Sequence, residues 1–451
     1  MTRSIFGACL VSLCLAGVPA RANPLTLQQA FELAKKHSPT IKLMKARTAA
    51  ANATRRAAWA KLYPTATVVG SFTHNQHEAT LDYGALIPAG LPCGTSTCNA
   101  GESCVNGTCV AQDAVVIQKR NQFGFDAQAK LPLFVGPAYQ EIAATQRLVR
   151  AATLRHLHAE RDYLLEVARL YYEILGQQEA VKAYQQKVQL DSRNEKAAHA
   201  RHDVGQVLRS DILRAELVHT QSKQALFAAR QLLAARRHEL GLLLGQPGSV
   251  NVIAPKPPQA PAAPTAQLIS AAIRDRGDLR ADKIAVEAAV RQKRSALWSL
   301  APQLDLSFLY SWREAAGFSG ERGAYLLALN LSWQIFNASR YAELRLARAQ
   351  LSQRRAEQQQ RLLALQRQIV RLRAQLLTSE EALKTAEKAA RLALTTADDM
   401  LARYEAGTAI QLNVLDASQR RLEADLELTR SRYARDLARL ALTHAVGAFR
   451  P

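Results

Sequence analysis

The chain has 451 residues and a formal net charge of +21. After the N-terminal segment no run of about 18 apolar residues occurs, which excludes a transmembrane helix but not membrane strands, which need half as many. The basic excess does not point to nucleic acid, because Arg345, Arg348, Arg354, Arg355, Arg361, Arg367, Arg371 and Arg373 are spaced along helix with Gln and Ala between them and no stacking aromatics. That pattern is a solvated helical face, with anionic lipid or lipopolysaccharide headgroups as the charged neighbours.

Residues 1–22 read as a secretory signal. Arg3 supplies the positive end, Ile5 to Val18 the apolar core, and Ala20-Arg21-Ala22 an A-x-A cleavage site. A lipoprotein signal fits less well, since Leu13 precedes Cys14 where a small residue is wanted. The mature chain therefore leaves the cytosol.

A helical pattern rich in Ala, Lys and Arg runs from about Thr26 to Leu62 and stops at Pro64. The period then changes to two. Ala66 to Thr73 is a soft strand, and Phe123, Phe125, Ala127, Ala129 and Leu131 alternate with polar or small residues. Leu306, Phe308, Tyr310 and Trp312 do the same, as do Leu327, Leu329, Leu331, Trp333 and Ile335. Each run has the length and texture of a tilted membrane strand. A half-buried antiparallel sheet shows the same alternation. Tyr310, Trp312 and Trp333 suit an interfacial aromatic girdle, or a sheet core.

Between the first two strands lies a loop, 75–119, with four cysteines (Cys93, Cys98, Cys104, Cys109) among Gly, Ser, Thr and Asn. Outside the cytosol this reads as a two-disulfide knot with three pairings open. Zinc is the rival, but C-x4-C-x5-C-x4-C lacks C-x2-C knuckles.

No proline occurs between Pro137 and Pro247 or between Pro302 and Pro451, and Gly407 is the only glycine from Asn337 to Ala445. Proline costs a helix interior about 3 kcal/mol and glycine about 1, so very long helices are permitted. One from Ser339 to Glu405 would span roughly 100 Å and needs coiled-coil packing. Gly407 marks the reversal as an αL stop, with Thr408 capping the return, and Gly205 does the same earlier. His199 and His202, near the first reversal, can share a helix face as a pH switch or adventitious metal site; His74 and His77 fall in a loop.

The chain is duplicated. Gly205 to Ala215 and Gly407 to Ala417 share Gly, Asp/Asn, Leu and Ala at identical spacing, and the offset of 202 also pairs Phe134 with Phe336, Leu240 with Leu442 and Gly245 with Gly447. An offset of 238 pairs Pro64 with Pro302 and Ser38-Pro39-Thr40-Ile41 with Arg276-Gly277-Asp278-Leu279. The cysteine loop accounts for the difference. The division is a first repeat 23–245, a Pro-rich extended connector 246–266, and a second repeat 267–451 whose hairpin is 303–336. P-loop, G-x-G-x-x-G, G-x-S-x-G and H-E-x-x-H motifs are all missing, and no enzyme or cofactor is expected.

Helix, β-hairpin, long helix, glycine turn and helix, given twice after a signal, resemble the TolC-type outer-membrane efflux family (outer membrane factors). Leu62-Tyr63-Pro64 and Leu300-Ala301-Pro302 carry the likeness at the helix-to-strand junctions, and Leu131-Pro132-Leu133-Phe134 and Trp333-Gln334-Ile335-Phe336 at the strand ends. Arg403-Tyr404-Glu405-Ala406-Gly407 with Asn413-Val414-Leu415-Asp416-Ala417 resembles the family's R-Y-x-x-G…D-V-L-D-A tip. The implied fold is mainly α with a membrane β-barrel portion: an α-helical coiled-coil tunnel plus four strands per chain, closing as a 12-stranded barrel in a homotrimer. Physics agrees, because four strands leave two open edges and each unpaired backbone group in hydrocarbon costs several kcal/mol.

The resemblance implies passive exit through the outer membrane for solutes delivered by an inner-membrane pump (RND or ABC type) through a periplasmic adaptor, with loop 75–119 outside the cell. A protein-secretion duct of the same fold is the alternative, and a periplasmic adaptor or coiled-coil scaffold a further one. It also implies gate carboxylates at the tip: Asp416 matches the later one, Asn413 replaces the earlier, and Asp211 and Glu405 are the other candidates. Gly205, Gly407 and Tyr404 are the implied turn and adaptor-contact residues, and Val207, Leu208, Ile410 and Leu412, apolar residues beside the turns, are either core or adaptor-facing.

Overall fold

The computed structural model describes residues 24–82, 86–111, 114–314 and 321–449, so the signal and its cleavage site lie outside the described residues. The first half contains α1 (Leu27–His37), α2 (Pro39–Ala60), β1 (Thr65–His74), β2 (Ala79–Leu81), β3 (Leu91–Cys93), β4 (Ser96–Cys98), β5 (Glu102–Val105), β6 (Thr108–Ala111), β7 (Val115–Gln118), β8 (Asn121–Phe134), α3 (Gly136–Asp203) and α4 (Arg209–Leu243). The second contains α5 (Thr265–Asp275), α6 (Gly277–Trp298), β9 (Gln303–Arg313), β10 (Gly323–Ser332), α7 (Ala338–Glu405) and α8 (Gln411–Val446). Helices α3 and α7 each have 68 residues. Among the described residues no helix is long and apolar enough to cross a membrane.

The single N-terminal helix expected from about Thr26 to Leu62 is two. Thr26 opens α1 with a capping box, accepting from the Gln29 N–H at 3.3 Å while Gln29 Oε1 accepts from the Thr26 N–H at 2.9 Å. The chain then breaks at Ser38, because Pro39 has no N–H to continue the ladder and starts a new helix instead. The second repeat breaks at Arg276, where Gly277 follows.

The chain forms two compact units, each drawn from both repeats. One comprises residues up to 48, 152–281 and 358 onward. Among the described residues its apolar side chains make two large cores and a small cluster of Ala198, Ile212 and Ala215. The first gathers Phe31 of α1, Leu164, Tyr171 and Ile174 of α3, and Leu233 and Leu240 of α4. The second gathers Leu268 of α5, Leu365, Ile369 and Leu376 of α7, and Leu442 and Val446 of α8. Tyr171 lies in the first, with its hydroxyl 2.8 Å from the Leu25 carbonyl, beside the extended connector that bridges Val252 to Leu25.

Both copies lock the kink to the returning helix in the same place. In the first, Ser38 donates to the Tyr163 hydroxyl at 2.8 Å, and that hydroxyl donates to the Leu243 carbonyl. In the second, Arg276 reaches the Ala445 carbonyl directly at 3.3 Å. Its guanidinium also holds Asp278 with two bonds, at 2.9 and 2.7 Å, and donates to His158 at 3.2 Å. Burial raises the Asp278 carboxyl, but the Arg276 hydrogen bond and charge outweigh it and leave it below its usual range. Burial lowers the His158 imidazole despite the neighbouring Asp278 and Asp162 carboxylates.

The other unit, 49–151 and 282–357, carries a four-stranded antiparallel sheet in the order β1-β8-β9-β10. Its register separates two faces. Val68, Ala127, Tyr310 and Tyr325 stand in one row on the apolar face, which also carries Phe72, Phe123, Phe308 and Leu329. The opposite face carries polar links: Asp126 accepts two bonds from Arg313 at 2.8 and 2.9 Å, and Asp305 accepts from Lys130 at 3.1 Å and Asn330 at 3.2 Å. The edges are β1, exposed throughout, and β10, nearly so. The last strand ends at Ser332 rather than continuing to Ile335, because Trp333 donates its indole N–H to the Leu300 carbonyl at 3.0 Å.

In loop 75–119 the disulfides are Cys93–Cys104 and Cys98–Cys109, each joining hairpin β3–β4 to hairpin β5–β6. With all four sulfurs bonded in two pairs, none is left as a thiolate ligand and the zinc reading fails. The β5–β6 turn uses Asn106 (φ 54°) and Gly107 (φ 80°), the positive dihedrals a tight hairpin requires. The knot closes entirely within its own loop. Deleting residues 93–109 should therefore leave folded, membrane-integrated protein within about twofold of the parent, since loop length costs little entropy. Membrane fractionation of the variant checks this, and loss of the folded protein would make the knot structural.

Candidate functional site

The two glycine reversals and the helix ends around them form the candidate site, and all of it lies in the first unit. The reversals are built alike. The Gly205 N–H donates to the His202 carbonyl and the Gln206 N–H to Arg201, both at 2.8 Å. The Gly407 N–H donates to Tyr404 at 3.0 Å and the Thr408 N–H to Arg403 at 2.8 Å. These paired bonds are Schellman motifs, which need a left-handed residue, and the glycines have φ of 75° and 78°.

The caps differ from expectation. Thr408 closes α7 rather than opening α8, because its hydroxyl donates back to the Arg403 carbonyl at 3.0 Å. Asp211 serves as a helix-start acceptor, taking the Leu208 N–H at 3.3 Å, and its charge suits the positive helix end. His202 is spent on the turn, with Nδ1 3.0 Å from the Val207 carbonyl, so it does not pair with His199.

The tips meet through Arg201, which the sequence reading did not single out. Its guanidinium sits 3.9 Å from the Tyr404 ring centroid and donates to the Tyr404 carbonyl at 2.9 Å. Its equivalent Arg403 instead pairs with Asp399 at 2.9 Å. The recurrence of Arg at the same place in both repeats was the available signal. Tyr404 and Gln411 are buried, and the Tyr404 hydroxyl and both Gln411 side-chain polar atoms have no hydrogen-bond partner. They line a cavity of about 560 Å³ with Arg201, Val207, Asp211 and Leu412.

Asn413 and Asp416 are exposed and three residues apart, so they share one face of α8. Asp416 accepts from Arg420 at 2.8 Å in an exposed pair, a link worth less than about 1 kcal/mol. Glu405 is exposed beside Gly407. Around both turns Leu208, Ile410 and Leu412 present apolar surface, as does Val204, which the sequence reading passed over. The site thus combines exposed carboxylates on one helix face with an apolar, partly unsatisfied rim, an arrangement suited to docking and to ion screening.

The sequence matches the outer membrane efflux protein family over residues 30–246 and 268–448. The chain resembles CusC, with a TM-score of 0.76 at 16% identity over 94% of this chain and 93% of that one. The outer membrane protein VceC from Vibrio cholerae superposes with a TM-score of 0.72 at 18% identity, covering 93% and 96%. The CmeC outer membrane channel from Campylobacter jejuni gives 0.73 at 14%, covering 94% and 85%. No curated protein shows a significant sequence match. At these identities the structural likeness carries the fold alone.

Proposed function

The chain belongs to the outer membrane efflux protein family, and from that premise we propose that it is a trimeric channel-tunnel of the outer membrane. The family is one of channels, not enzymes. The role is passive: solutes handed over by an inner-membrane pump through a periplasmic adaptor leave along its bore. The two tips are the adaptor-facing end, and loop 75–119 is outside the cell.

The observation that carries this reading is the sheet with two open edges. An apolar face backed by a polar one suits lipid outside and water inside. Unpaired backbone in hydrocarbon is too costly for one copy to span a membrane alone, and three copies would supply twelve strands and no edge. A row of exposed side chains seven residues apart on α7, Leu363, Val370 and Leu377, supports helix packing against a neighbouring copy.

Extraction in mild detergent followed by mass measurement should find three chains per particle. A stable monomer in bilayers, or a purely soluble pool, would remove this reading.

A further inference from the structure

Behind the first tip, α3 and α4 bring three metal-ligating side chains together, Glu195, His199 and Glu216, with a fourth, His219, against Glu195. Glu195 and His199 stand four apart on α3, Glu216 and His219 three apart on α4, and each spacing puts its pair on one helix face. Glu195 meets His219 Nδ1 directly across the hairpin. His199 Nε2 lies 3.3 Å from Glu216 Oε1. One donor atom from each of Glu195, His199 and Glu216 lies within 4.8 Å of the others.

Two ligands held at about 2.0–2.1 Å from a tetrahedral ion stand about 3.3–3.4 Å apart, which is the His199–Glu216 separation. Two carboxylates and two neutral imidazoles carry two negative charges, matching a dication. Imidazole donors favour borderline transition ions over magnesium or calcium, which take oxygen. The His219 side chain is nearly buried while that of His199 is half exposed, so the set has a fixed floor and an open entry.

We propose that Glu195, His199, Glu216 and His219 form a site for a divalent transition-metal ion, with zinc as the type case, that staples α3 to α4 two to three turns from Gly205. The other mixed cluster differs. His158, Asp162 and His444 also converge within 4.8 Å, but the Arg276 guanidinium lies 3.2 Å from His158 Nε2 and occupies the place of a cation. The proposed site rests on the hairpin alone and stands or falls independently of the channel reading.

The test uses full-length, untagged protein in detergent, stripped with a chelator and titrated with Zn²⁺ by calorimetry, with metal content measured per chain. The parent should bind about one ion per chain at this site, and zinc should raise its melting temperature. The double variant His199→Ala with Glu216→Gln should bind at least about 100-fold more weakly and lose the zinc-dependent shift. His202→Ala, whose ring serves the Val207 carbonyl, should bind as the parent does. Equal zinc binding by parent and double variant overturns the proposal, as does loss of the ion in a His158→Ala variant instead. A double variant that melts lower by the same amount with and without zinc reduces the cluster to His–Glu ion pairs and also overturns it.

Discussion

Replacing Gly241 with alanine should all but remove folded protein from the membrane. A Cβ there would overlap the Gly248 carbonyl oxygen and lie 2.9 Å from that of Gln246. Both obstacles are backbone, so no rotamer change relieves them. The 246–248 segment must move, and the Gln246 N–H bond to the Gly241 carbonyl (2.9 Å) goes with it. Overpacking costs about 1–3 kcal/mol even where side chains give way, and a forced backbone shift lies at or above that range. Domains are stable by only about 5–15 kcal/mol. Gly245→Ala adds a different strain, since φ is 75° and the new methyl meets the His37 carbonyl at 2.8 Å. Gly407→Ala has a similar φ but nothing within 4 Å, so it costs only the left-handed penalty of about 1–2 kcal/mol. The heat-modifiable folded band on semi-native gels should fall in the order Gly407→Ala, Gly245→Ala, Gly241→Ala. If Gly241→Ala folds as well as Gly407→Ala, the turn does not pack on α4 as described.

The second large effect concerns charge at the mouth. Asp416→Ala should lower cation selectivity and weaken block by multivalent cations in planar bilayers, and Asn413→Asp should raise both. If Asp416 rings the mouth of a three-chain assembly, as its match to the family's tip motif implies, three of its carboxylates face one narrow passage. A unit charge at 4 Å is worth about 1 kcal/mol to a cation even in bulk water, and more where water is scarce, so occupancy at the mouth should change about fivefold or more at low salt. Screening shortens this reach to about 8 Å at physiological ionic strength, so the difference should shrink as salt rises. Each Asp416 carries its own Arg420 partner, and Arg420→Gln should therefore shift selectivity in the same direction as Asn413→Asp. Unchanged conductance and block in all three variants at low salt would move the gate to Asp211 or Glu405.

What could be read in advance was whatever repeats or alternates locally. The 202-residue offset and the missing prolines announced two helices of matching length, and α3 and α7 match. Period two announced four strands because each strand has one greasy face. The alternation ran past Ser332 because hydrophobicity cannot show that Trp333 turns its N–H to Leu300. The kink at Ser38 was missed although Pro39 stood in plain view: a proline inside a helical pattern can start a helix as well as stop one. Pairings across helices were beyond reach. Arg201 with Tyr404, and Glu195 with His219, depend on how far one antiparallel helix slides along another, and no local spacing encodes that slide.

The open edges of the sheet have a genetic meaning. If the barrel is built from three copies, as proposed, joining a second copy to the first still leaves two edges bare, and only the third removes them. Closure is then all-or-none, and no partial barrel is a resting place. A chain damaged on β1 or β10, yet still able to join at its sound edge, would take two healthy copies out of service with it. Where damaged and sound chains are made in equal amounts, only about one assembly in eight would be wholly sound. Lesions at these two strands should therefore be inherited as dominant defects.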